Sequence, residues 1–284
     1  SGPDCDVVRN TQFLVAANIG RRFVPKGSLD GTWNLIVRAC PACNSQKSDL
    51  EDDISALTLA LASTGPLASE DPSLAAEVQR KTRGSVSRRT GRTVARSAEP
   101  MTIRTPLWSN VILTARMTSP PQIDHVRAFA LARLQLQAFF YRITYDSVRN
   151  SGRQWPGVFV PVMLAPLSNW GDRLIAEFTR ATRVWPYRYL GVTANGYFKI
   201  SIRRHPEEGA ACWAWAVEWN QTFRVVGFFG KIEPAMADSW SFDERLRQAV
   251  ARHPEGFLAL GLESRVQPAD DTLFAFEDSS STKE

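Results

Sequence analysis

The chain has 284 residues, 44% hydrophobic and 22% charged, with a formal net charge of +5 and pI ≈ 9.2. That apolar content can build one large or two ordinary domain cores. No run reaches the ~18 apolar residues of a membrane span, and the N-terminus has no signal-peptide core, so a cytoplasmic protein is expected. Four cysteines in a chain this long argue against a disulfide framework, and the basic excess is compatible with nucleic acid without being diagnostic.

In chain order, Phe13 to Val15 reads as a short strand. A basic loop with turn chemistry follows (Pro25-Lys26-Gly27, Asp30-Gly31), then a second strand from Trp33 to Val37. A Cys40-Pro41-Ala42-Cys43 knuckle leads into a helix opening near Asn44. The acidic run from Asp49 to Asp53 offers candidate metal ligands but reads first as a solvated, dipole-complementing start of the helix, and Ile54 to Leu61 carries the helix on. Ser63 to Leu67 breaks it. A second helical stretch from Ser73 runs into Arg80–Arg96, which is basic, Ser/Thr/Gly-rich and poor in large apolar groups. Such a segment reads as a linker or a DNA-contacting arm.

Composition changes at Pro100. Val111 to Met117 reads as a strand, Asp124 to Tyr145 as a long helix, and Gln154 to Leu167 as a Pro-punctuated edge strand or packing segment. Trp170 to Val184 reads as another helix. Four period-two stretches then form an antiparallel meander: 187–193, 197–203, 211–219 and 222–229, with Asn195-Gly196 as a hairpin turn. Trp213, Trp215 and Trp219 read as core. Lys199 and Arg203 lie on the polar face, which could grip a duplex backbone or dock a partner. His205 and His253 read as surface residues, and Cys212 as a small buried one. A last helix is expected over 242–253, followed by a disordered acidic tail from Asp270. The fold class is α+β.

The stretch from Asn34 to Lys47, NLIVRACPACNSQK, carries a resemblance. Two strands closed by a helix, with CxxC where the second strand meets the helix, resemble the HNH endonuclease motif, a ββα-metal nuclease. The likeness covers roughly the first sixty residues. It implies that Asn34 holds the loop and that Asn44 is a ligand of a catalytic divalent cation such as Mg2+. It also implies that an acid-His pair, metal ligand and general base, belongs at Ala16 and Ala17. Neither alanine can bind metal or move a proton, and the first hundred residues contain no histidine. The chain as written is therefore expected to be a catalytically disabled form. Arg21, Arg22, Lys26, Lys47, Arg88 and Arg89 would contact DNA phosphates. Cys40 and Cys43 have the spacing of a structural zinc knuckle, with Cys5 either a third ligand or a free terminal thiol.

These readings divide the chain into an HNH-type domain (1–66), a basic linker or arm (67–100), an α+β recognition or regulatory domain (101–268) and an acidic tail (269–284). DNA is the expected partner, with a homodimer or a regulatory protein also open. Restriction or anti-phage defence is a setting suggested by analogy. The rival reading is a non-catalytic zinc-knuckle module that binds nucleic acid or a protein, with both alanines native.

Overall fold

The computed structural model describes residues 15–19, 21–23, 34–62, 74–108, 111–153, 157–193, 196–231, 265–267 and 270–275. The expected 242–253 helix, Cys5 and Lys26 lie outside them. Two short strands, β1 (Val15–Asn18) and β2 (Ile36–Ala39), pair antiparallel. They lead into the long helix α1 (Pro41–Ala62), and α2 (Leu74–Gly84) follows. Strands β3 (Glu99–Trp108) and β4 (Val111–Ser119) form a hairpin, and α3 (His125–Ile143) begins on Asp124, whose carboxylate accepts from the Arg127 N–H at 3.2 Å. Then come β5 (Val158–Pro166), α4 (Arg173–Thr182), β6 (Tyr187–Thr193), β7 (Phe198–Arg204), β8 (Cys212–Trp219) and β9 (Phe223–Gly230).

The last five strands form one antiparallel sheet in the order β5-β9-β8-β7-β6. The expected meander is its β6 to β9 portion. Its β8–β9 turn places Asn220 and Gln221 both at φ 53°, the left-handed pair that matches strand twist. The Pro-punctuated stretch is an edge strand whose register shifts between Pro161 and Met163. An edge is where proline's missing N–H is tolerated.

Alternation along β8 sends side chains to two apolar clusters. Trp215, Val217 and Trp219 join Phe139 and Phe140 of α3, Leu50, Ile54 and Leu57 of α1, and Phe23. Cys212, Ala214 and Ala216 face Ile175 and Phe178 of α4, together with Leu273 and Phe274 near the C-terminus. The sheet is thus sandwiched. Both of its faces are covered, which corrects two expectations. Arg203 is buried and Lys199 is drawn onto the buried Glu218 at 2.8 Å rather than presented to a duplex, and His205 is buried with its ring edge-on to Trp185, 4.8 Å between centroids. Residues 270–275 are not a loose tail. Asp271 pairs with Arg224, Phe274 is buried, and the Tyr187 hydroxyl donates to the Ala275 carbonyl at 3.0 Å.

The N-terminal ββα unit shares the sheet's core. Phe23 stacks on Trp219 at 5.4 Å and 15°, and the Trp219 indole donates to Gln135 of α3 at 3.0 Å. The Thr222 hydroxyl donates to the Thr58 carbonyl of α1 at 3.1 Å, while the amide of Asn220 lies 2.7 Å from the Thr58 hydroxyl. Residues of the ββα unit and of the sheet thus belong to one apolar cluster. Phe23 is fully buried, so Phe23→Ala should cost about 3–5 kcal/mol. Denaturant unfolding should remain a single transition with a lowered midpoint. Two separated transitions would show that the ββα unit and the sheet unfold independently.

Candidate functional site

The ββα unit starts with a ladder. Ala16 lies opposite Arg38, Ala17 opposite Val37 and Asn18 opposite Ile36, and the Ile19 N–H extends the pairing to the Leu35 carbonyl at 2.9 Å. Asn34 is half-buried just ahead of β2, and Cys40 directly follows it. Pro41 occupies the first helical position of α1, where its missing N–H costs nothing. Cys40 then closes the helix N-terminus. Its Sγ accepts from the Cys43 N–H at 3.2 Å and its carbonyl from the Asn44 N–H at 3.0 Å. Cys40, Cys43 and Asn44 therefore sit within one turn, at the junction of strand and helix. Among the described residues no group of three or more His, Cys, Asp or Glu side chains is placed to hold a metal ion. Two sulfurs within one turn are half of a tetrahedral zinc set.

The basic residues divide by environment. Arg21 and Arg22 are exposed on a single 3-10 turn (Arg21–Phe23) that Phe23 anchors in the core. Arg22 approaches Asp52 at 3.5 Å, an exposed pair worth ~0–1 kcal/mol. Lys47 is turned inward, 6% exposed, with its ammonium 2.7 Å from Glu51, so it does not present a charge for phosphates. Lys47 and Glu51 stand an (i, i+4) step apart on α1, and both are buried on the face packed against the rest of the molecule.

The earlier start of α1 changes the acidic run, which lies two turns into the helix and is not a solvated first turn. Asp49 takes Arg88 at 2.6 Å and Arg127 at 3.0 Å, and Asp53 takes Arg127 at 3.0 Å and the Arg88 N–H at 3.0 Å. The Ser85 hydroxyl donates to Asp52 at 3.2 Å, and Arg89 pairs with Glu99 at 2.6 Å. The Arg80–Arg96 stretch is thus folded onto α1, and its arginines at 88 and 89 carry carboxylate partners. Partial burial works against ionisation of Asp49, but the Arg127 and Arg88 hydrogen bonds hold its carboxyl below the usual range.

Two buried or part-buried ionisable groups stand apart from the expected site residues. Glu51 is 1% exposed, and its Oε1 has no hydrogen-bond partner among the described residues. Burial pushes its carboxyl up, against the opposing pull of Lys47. Burial lowers the ammonium of Lys81 on α2 to about 8, with Glu77 opposing; it donates to the Arg22 carbonyl. Glu51 was foreshadowed by its apolar neighbours Leu50 and Ile54. Lys81 was indistinguishable from the basic residues around it.

Comparison of the chain with protein-family models, with curated proteins and with solved structures finds no match in any of the three.

Lys47→Met leaves the Glu51 charge buried without its partner and should destabilise by about 3–5 kcal/mol, whereas Lys47→Met with Glu51→Leu should recover most of the loss. Chemical denaturation of both variants checks this, and equal destabilisation of the two would refute the pairing. Lys81 sets a pH window. Its unfolded ammonium keeps its proton up to the ordinary 10.5 while the folded one releases it near 8. Between those values the unfolded chain binds more protons, so stability rises with pH. Lys81→Met should remove that rise from a thermal-unfolding series run between the two pH values.

Proposed function

We propose that the chain is an HNH-type ββα-metal endonuclease for DNA in a catalytically disabled form. One observation supports this above the others. The antiparallel β1–β2 pair runs directly into α1 with the two-cysteine knuckle at the junction, Asn34 before β2 and Asn44 in the first helical turn. In a competent version, an acid at position 16 and Asn44 would hold Mg2+ or a similar cation. A histidine at position 17 would take the proton from water, and Asn34 would hold the loop. As written, positions 16 and 17 supply no donor atom, and the residues present do not fit a hydrolytic cation. A separate zinc on Cys40 and Cys43, completed by Cys5 and a further donor, would brace the knuckle.

Exposed Arg21 and Arg22 beside β1 are the cations best placed to meet a phosphate backbone there. One site per chain implies nicking, or double-strand cutting as a dimer. Restriction or anti-phage defence remains the setting that analogy suggests. No helix among the described residues is long and apolar enough to cross a membrane.

The test is Ala16→Asp with Ala17→His, incubated with supercoiled plasmid and Mg2+ or Mn2+ beside the chain as given. Nicking or linearisation by the restored protein alone is the expected result. An intact plasmid with that variant, and with Ala16→Glu carrying the same histidine, would sink the nuclease reading. The reading left would be a non-catalytic zinc-knuckle binding module.

A further inference from the structure

The C-terminal end of α3 and the edge strand β6 enclose a cleft of about 320 Å³ that the nuclease reading leaves unused. Arg149, Arg153 and Arg188 line it with the hydroxyl-bearing Thr144 and Ser151, against one carboxylate, Asp146. All three arginines are exposed. The Arg149–Asp146 pair is long, 3.6 Å, and open to water, hence weak. Arg153 and Arg188 have no carboxylate partner among the described residues.

The loop that presents these groups is built, not slack. Asp146 and Ser151 exchange backbone hydrogen bonds at 3.0 and 3.3 Å, and the Asp146 carboxylate accepts from the N–H groups of Val148 and Arg149. The Arg153 N–H donates to the Thr144 hydroxyl at 2.9 Å, closing the loop on α3. Asn150 sits at φ 50° and is held by the Tyr145 hydroxyl. Gly152 lies so close to α3 that a Cβ there would strike the Tyr141 carbonyl. The guanidinium-bearing backbone is therefore ordered before any ligand arrives, which lowers the entropic cost of binding.

We propose that this cleft is a phosphate subsite. Planar guanidinium forks match phosphate oxygens in pairs, and three of them facing one carboxylate leave a net positive hollow that needs an anion. The excess also outweighs the partial negative charge at the carbonyl end of α3. A cleft of this size takes a phosphodiester with its flanking sugars, so the ligand class is a nucleic-acid backbone or a free polyphosphate. The choice of a backbone as the source rests on the nucleic-acid reading above; the site itself does not.

The test is Arg153→Ala with Arg188→Ala in the full chain, neither residue belonging to the ββα unit. A fluorescein-labelled DNA duplex is titrated by anisotropy between about 50 and 200 mM salt. Loss of two phosphate contacts should weaken binding about tenfold or more and flatten the log K against log salt slope by about 1 to 2 units. Arg153→Lys with Arg188→Lys should keep most of the slope. Inorganic pyrophosphate is the second probe. If it raises the Tm of the wild-type chain but not of the alanine variant while DNA affinity is equal in both, the site holds and its ligand is a free polyphosphate. Equal DNA affinity and slope with no difference in the pyrophosphate response would overturn the proposal, as would wild-type binding of neither probe. In that case a fall in Tm of the alanine variant alone would show that the arginines only neutralise the end of α3. Binding is read on the chain as written, so the result stands apart from whether the restored pair cleaves plasmid.

Discussion

The acidic turn at residues 49–53 in the middle of α1 is the constraint on which the N-terminal half depends. Asp49, Asp52 and Asp53 collect Arg88, Arg22 and Arg127 together with the hydroxyl of Ser85, and Glu51 takes Lys47 from one turn earlier. Arg127 belongs to α3 and Arg88 to the turn beyond α2, so one helical turn binds three separate elements. This is how a basic segment with few large apolar groups folds. Its order comes from carboxylates already fixed in a packed helix, not from burying its own surface. Because Asp53 is 2% exposed, that charge is tolerable only while Arg127 and the Arg88 N–H stay in place.

A second charge layer serves the opposite face of the sheet. Glu218 of β8 is fully buried between Lys199 at 2.8 Å and Arg224 at 2.7 Å, leaving two cations to one carboxylate. Asp271 supplies the missing negative charge from near the C-terminus, while the Arg224 guanidinium lies 3.6 Å from the centre of the Trp170 ring. Charge balance and the apolar anchors Leu273 and Phe274 act together there. That combination places residues 271–274 against the sheet, although Asp270 and Asp271 alone favour solvent.

Local pattern revealed most of the elements. The meander was legible because Phe198, Ile200 and Ile202 alternate with polar residues, and because Asn220-Gln221 and the residues around Gly196 suit tight turns. Alternation gives the period and not the partner, however. The polar side of β7 looked like a solvent face, yet Arg203 is buried there, its guanidinium donating to the carbonyls of Arg183 and Trp185 at 2.9 and 2.8 Å. Strand β3 escaped notice because Pro100 and Pro106 argue against a ladder, and they are accommodated in a two-stranded hairpin with a register shift after Pro106. Lys47 and the run 49–53 were misplaced for different reasons. The helix starts at Pro41 rather than near Asn44, which moves the acidic run past the first turn, whereas Lys47 faces inward because α1 packs on that side, a choice that helical spacing alone does not fix.

The candidate site is a case where scaffold and chemistry separate cleanly. Alanine at positions 16 and 17 maintains the strand: both residues keep their register against Arg38 and Val37, and the ladder hydrogen bonds belong to the backbone. Nothing in the pairing of β1 with β2, or in the seating of α1 beneath them, requires a donor side chain at either position. Alanine offers neither a donor to fix a cation nor a group to accept a proton, and backbone geometry cannot replace either. Phosphate contacts obey a different requirement. The proposed contacts would need cations on ordered backbone, and exposed arginines stand on the Arg21–Phe23 turn beside β1 and on the 144–153 loop near β6. On the two proposals above, hydrolysis and the hold on a polyanion would depend on different residues held by different parts of the same core, so that losing the first need not cost the second.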